Sequence, residues 1–154
     1  MPQYIYKDIE KGEIKLLKLR QNFWWPFPRC TLVAYPSRRN PPYEAISYTW
    51  GASKPAFPIE DDNQQLLVIR SIAEVIRYRQ SVFKARFLWI DTICINQENY
   101  DEKSHQLPLM RDIYNKASKV YIWLGPPTLK SATARSFQDV AISNICSRHQ
   151  SLCV

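Results

Sequence analysis

Glycine is nearly missing from this chain: there are three in 154 residues, beside 11 prolines. So few glycines cannot build a Gly-rich phosphate loop of the usual kind, and the prolines imply stiff connections instead of flexible linkers. Cysteine is sparse as well. Cys30, Cys94, Cys146 and Cys153 show no CxxC pair and no regular framework, so free thiols are expected. Cys146, His149 and Cys153 form C-x2-H-x3-C, but three ligands without a fourth do not make a zinc site, and no metal is expected. No apolar run is long enough to span a membrane, and the amino terminus has no apolar targeting segment, which points to a cytoplasmic protein without membrane contact. The formal charge of +7 has no polybasic block behind it, Arg38-Arg39 being the only adjacent basic pair. That charge reads as a solvated surface, not as a nucleic-acid interface.

What is present fits one domain over residues 1–154, with 45% hydrophobic and 23% charged residues. The most telling stretch is FLWIDTICINQ at 87–97. Its apolar start reads as a strand buried on both faces, with Asp91 at the carboxyl end and Cys94, Asn96 and Gln97 just beyond. Open α/β sheets bind ligands at that edge, and a buried acid there needs a partner or a task.

Other strands are expected at 13–19, 30–35, 43–48 and 120–124, and a hairpin at 59–68 turning around Asp61, Asp62 and Asn63. The aromatic, Pro-rich segment 22–28 caps the core or offers a surface to a partner. Ser71 and Glu74 match a capping box opening a helix whose apolar face carries Ile72, Val75 and Ile76. A terminal helix is marked by Phe137, Val140, Ala141 and Ile145. Strand and helix therefore alternate from Tyr43 onward, which favours a parallel sheet with right-handed crossovers.

Candidate chemistry sits after the Asp91 strand. Glu102, Gln106, Met110, Ile113 and Ala117 would share one face of a continuous helix. Glu102 and Gln106 would then point inward near Asp91, and a carboxylate pair there suits general acid–base work or a ribose hydroxyl. Pro108 argues for a later start, with Ser104 as N-cap, Pro108 near the first turn and Glu102 in the preceding loop. Taken singly, each residue has a structural reading: Asp91 as a loop cap, Cys94 as a small buried apolar group, His105 as a helix-start residue, and Trp50, Trp89 and Trp123 as core.

YEAISYTWG at 43–51 and LWIDTICINQ at 88–97 closely resemble the first two signature blocks of the fungal heterokaryon incompatibility (HET) domain. Glu102, Gln106, Met110, Ile113-Tyr114, Ala117, Val120 and Trp123 to Gly125 resemble the third, at 102–125. The resemblance implies a cytosolic module of non-self recognition that triggers regulated cell death through self-association or partner binding. It further implies a remote likeness to the Toll/interleukin receptor (TIR) domain: a flavodoxin-like, mostly parallel sheet flanked by helices, here with an N-terminal β extension. Some TIR domains cleave NAD with a helix-borne glutamate. That alternative makes NAD a substrate, with Glu102 and Asp91 as catalytic carboxylates; Ser47, Tyr48, Trp50, Gly51, Cys94, Asn96, Gln97 and Gln106 are the remaining motif or ligand-binding positions. If 43–48, the Phe87 strand and 120–124 are the first three TIR strands, the glutamate belongs on the helix after Gly125, which offers Asp139 but no Glu. The chain also stops soon after the third block, whereas family members continue further, which implies a short paralogue or a fragment.

Overall fold

Leu88, Trp89 and Ile90 are each 0% exposed, as a strand covered on both faces requires. The computed structural model describes residues 1–21, 28–48 and 54–123, and the backbone of 137–139. In chain order its elements are β1 (Glu13–Leu19), β2 (Arg29–Pro36), β3 (Glu44–Tyr48), β4 (Phe57–Asp61), β5 (Gln64–Val68), α1 (Arg70–Arg79) and β6 (Arg86–Trp89). They continue with α2 (Asp91–Cys94), α3 (Tyr100–Gln106), a 3-10 turn (Leu107–Leu109), α4 (Met110–Lys116), β7 (Lys119–Trp123) and β8 (Phe137–Asp139). The aromatic segment 22–27, the end of the first signature block at 49–51 with the two residues after it, and the Cys146–His149–Cys153 pattern lie outside the described residues.

All eight strands join one sheet in the order β5-β4-β2-β1-β6-β3-β7-β8. The class is α/β, but the sheet is mixed, which corrects the expectation of a mostly parallel one. Parallel pairing links β2 to β4, β6 to β3 and β3 to β7, whereas β1–β2, β1–β6, β4–β5 and β7–β8 are antiparallel. Chain reach explains the difference. A strand that returns after a short connection can only pair antiparallel, as β4 and β5 do, whereas long crossovers containing helices separate β3 from β6 and β6 from β7 and let both lie parallel to β3. The N-terminal extension does not lie apart from this arrangement: β1 is inserted between β2 and β6, with Leu17 opposite Leu88. Ile14 to Leu17 are all buried, so both faces of β1 are covered.

The hairpin is present as expected. Asp62 and Asn63 both have positive φ, 41° and 68°, the left-handed pair that a two-residue turn needs to follow strand twist. Outside it, the N-terminal residues lie along the free edge of β5. Gln3 bridges Gln65, the Tyr4 N–H donates to Gln65 O at 2.9 Å, and the Gln65 N–H donates to Pro2 O at 2.8 Å.

Three local expectations are corrected. The first helix starts at Arg70, one residue after β5, and its N-cap Ile69 offers no side-chain cap. Ser71 therefore sits inside the first turn; burial of Ile72, Val75 and Ile76 holds the helix instead, on the order of 5–8 kcal/mol as an upper bound. The second helix starts at Tyr100 and not after Ser104, because Asn99 Oδ1 accepts the Glu102 N–H at 3.0 Å. Pro108 then falls in the tight turn between α3 and α4, where its missing N–H costs little. Glu102, Gln106 and Ile113 are all buried, so the shared face survives the interruption. Finally, Phe137–Asp139 is a strand where a helix was expected, paired along the outer edge of β7 with Asp139 opposite Tyr121.

Candidate functional site

β3 and β6 run parallel, Ala45 beside Trp89, so Tyr48 and Asp91 emerge at the same edge of the sheet. The chain leaves β6 through Ile90 and turns at once into α2. Asp91, the first residue of α2, is 6% exposed, and its Oδ1 accepts the Thr92 N–H at 2.7 Å. Its carbonyl accepts the Ile95 N–H at 3.0 Å and Gln97 Nε2 at 3.2 Å. Tyr48 and Thr92 share a hydrogen bond of 2.6 Å between their hydroxyls. Burial pushes the Tyr48 phenol well above its ordinary range, and the nearby Asp91 charge adds to the effect.

Glu102 belongs to a second group. Lys15 Nζ lies 2.7 Å from both of its carboxylate oxygens, and Oε1 also accepts the Asn96 N–H at 2.9 Å. Both side chains are almost fully enclosed, at 3% and 4% exposure. The Tyr6 ring lies 5.2 Å from Lys15 Nζ, and Gln106 Nε2 donates to Glu13 O at 2.7 Å. Glu102 and Gln106 thus face inward, but among the described residues the carboxylate of Glu102 is taken by Lys15 and Asn96, not by Asp91.

The two groups hang on the same short stretch, 91–97. One joins Tyr48, Asp91, Thr92 and Gln97; the other joins Lys15, Asn96, Glu102 and Gln106. Cys94 lies between β6 and the loop, 1% exposed, its thiol donating toward Leu88 O at 3.8 Å and accepting from the Ile90 N–H at 3.4 Å. Burial pushes that thiol up to about 12, which favours the protonated form near neutrality. Ser47 is half-buried within β3, beside Ile122 of β7. Trp50 and Gly51 lie outside the described residues. Among the described residues no three His, Cys, Asp or Glu side chains are placed to hold a metal ion. No helix among them is long and apolar enough to cross a membrane.

A third network lies at the opposite end of β3. Glu44 accepts from both Arg79 and Arg86, with contacts of 2.6 to 3.0 Å, and the Arg79 guanidinium stacks 4.3 Å from the Tyr121 ring. Tyr43 closes the same end by donating its hydroxyl proton to Ile113 O at 2.5 Å. These motif residues join α1, α4 and the sheet, which is a structural task.

Sequence reasoning passed over Lys15. The signal was there: Lys15 alternates with Leu17 and Leu19, which are 0% and 1% exposed, so it shares their face, and a lysine on a core face demands a counter-charge.

The family described as heterokaryon incompatibility protein (HET) matches residues 43–152. Heterokaryon incompatibility protein 6, OR allele, of Neurospora crassa is 37% identical over 110 residues, covering 63% of this chain and 16% of that protein. Vegetative incompatibility protein HET-E-1 of Podospora anserina is 29% identical over 92 residues, covering 58% of this chain and 7% of that protein. The chain therefore spans less than a fifth of the length of either relative. No solved structure matches it. With well over half of its residues inside the matched segment, the chain belongs to the heterokaryon incompatibility (HET) family.

Proposed function

We propose that this domain serves fungal incompatibility as an interaction module. It takes part in non-self recognition in the cytoplasm and promotes regulated cell death by associating with a second copy or a protein partner. The observation that carries this reading is how the signature residues are used. Glu102 is neutralised by Lys15, Cys94 is sealed in the core, and Glu44 is held by two arginines. Polar groups committed to such internal bonds build a scaffold, and a scaffold acts through its surface. The names of the two relatives, both incompatibility proteins, support the same role.

A second reading is a TIR-like NAD glycohydrolase, and one observation favours it. The parallel strands lie in the order β6-β3-β7, second-first-third among themselves, which is how a flavodoxin-like sheet begins. Asp91 stands at their carboxyl edge, and an oxocarbenium-like transition state would need a carboxylate there. Sedimentation velocity over a concentration series, run beside an assay of nicotinamide release from NAD, separates the two. Concentration-dependent assembly without turnover supports the module. A monomer at every concentration that releases nicotinamide, and loses this activity in Asp91→Asn, overturns it.

A further inference from the structure

A cavity of about 280 Å3 opens beside the Tyr48–Thr92 pair, and neither reading above uses it. Its walls come from separate parts of the chain: Tyr6 of the N-terminal segment, Tyr48 at the end of β3, Leu66 of β5, Ile72 of α1, and Ile93 and Gln97 of the second signature block. Among the described residues the lining contains no Asp, Glu, Lys or Arg. A charged ligand, a phosphate above all, would find no counter-ion on these walls, and an uncharged one suits them better. A closed apolar cavity of about 150 Å3 accepts benzene; this cleft opens to solvent on one side and its volume has room for two fused rings.

One polar feature gives the site direction. Gln97 Nε2 donates to both Asp91 O and Ile95 O, at 3.2 and 3.1 Å. Both amide protons are thereby spent and the orientation of the amide is fixed. Gln97 is exposed and lines the cavity, and its Oε1 remains as an acceptor. The location also suits a ligand, because open α/β sheets receive small molecules beyond the carboxyl ends of their strands. First and second signature blocks meet at this cavity.

We propose that the cavity binds a small, flat, uncharged molecule of one or two rings carrying a hydrogen-bond donor that Gln97 Oε1 receives. The inference is independent of whether the domain assembles or cleaves NAD. Indole is a suitable probe, and benzofuran, of the same shape but without the N–H, is its control. Titration of the full chain by calorimetry should show saturable binding of one indole, with benzofuran about tenfold weaker for the lost hydrogen bond. Gln97→Leu should bring the two probes to equal affinity. Ile72→Trp should fill the cavity and abolish binding. Should that variant fail to fold by circular dichroism, Leu66→Trp on the half-buried wall serves instead. Indole that does not saturate, or that binds a folded, filled variant unchanged, overturns the site. Equal affinities for the two probes in the unsubstituted protein overturn the role of Gln97.

Discussion

Exchanging Lys15 for methionine would leave a carboxylate stranded in the protein interior. The side chains are similar in length and methionine would still pack beneath Tyr6, so the main change is the loss of the ammonium from Glu102. With both partners under 5% exposed, solvent cannot take over, and removal of one member of such a pair costs about 3–5 kcal/mol. A domain of this size has on the order of 5–15 kcal/mol of stability, so the substitution removes a large part of it. At about 2 kcal/mol per molar urea, the unfolding midpoint should fall by roughly 2 M. The double variant Lys15→Met/Glu102→Gln keeps an acceptor for the Asn96 N–H and removes the charge. It should recover part of the loss, because no unpaired charge is left in the interior, although the buried amide put in place of the Glu102 carboxylate lacks an acceptor. Urea titrations of the four proteins at pH 7 measure the cycle. A shift below about 0.5 M for Lys15→Met, the size expected of a solvent-exposed pair, refutes the reasoning. So does a double variant no more stable than the single one.

Truncation to the family-matched segment 43–152 removes β1 and β2, opens the edge of β6 and deprives Glu102 of Lys15; circular dichroism and size exclusion should report an unfolded or aggregated chain. Asp61 is 3% exposed and its burial raises the carboxyl above the ordinary 3.8. The folded state therefore holds this proton more tightly than the unfolded one, and stability falls as pH rises from about 3.8 through the raised value. Asp61→Asn, which can still accept the Leu32 N–H, should gain stability relative to the parent across that window and keep the gain at higher pH, as thermal melts would show. Cys30 and Cys94 have buried thiols pushed upward in pKa, so iodoacetamide at pH 8 should modify them only after denaturant is added, as read by peptide mass mapping. Asn63→Ile places a β-branched residue at φ 68° and should cost about 1–2 kcal/mol of stability, whereas Asn63→Gly should cost nothing.

Local chemistry made much of this fold readable. FLWI at 87–90 reads as a doubly covered strand, and β6 takes in its first three residues; the Asp62–Asn63 turn declared its hairpin through residues that tolerate positive φ. Long-range pairing was harder to read. Nothing local in β1 tells whether it lies beside the sheet or within it, and its insertion next to β6 made the sheet mixed. The second helix start was misplaced because Ser104 and Pro108 favoured a later cap, whereas Asn99 and Glu102 hold the spacing of a capping pair. The candidate site was read through its carboxylates, and the inward turn of Glu102 followed only from a continuous helix, which Pro108 argued against. Its counter-ion was not legible, because Lys15 lies 87 positions away along the chain. Tyr6 and Leu66 belong to the cavity wall for the same reason: only the folded sheet brings them to Tyr48.

Residues 2–5 along β5 bear on the behaviour of the protein in solution. A terminal strand with open amides and carbonyls is a template on which other chains can stack, and natural sheets hide such margins. Here a few bonds to Gln64 and Gln65 do the hiding, next to Leu67, which is 45% exposed. Proteolysis near the amino terminus, or a bulky fusion that pulls this segment away, would turn a quiet margin into a nucleus for aggregation.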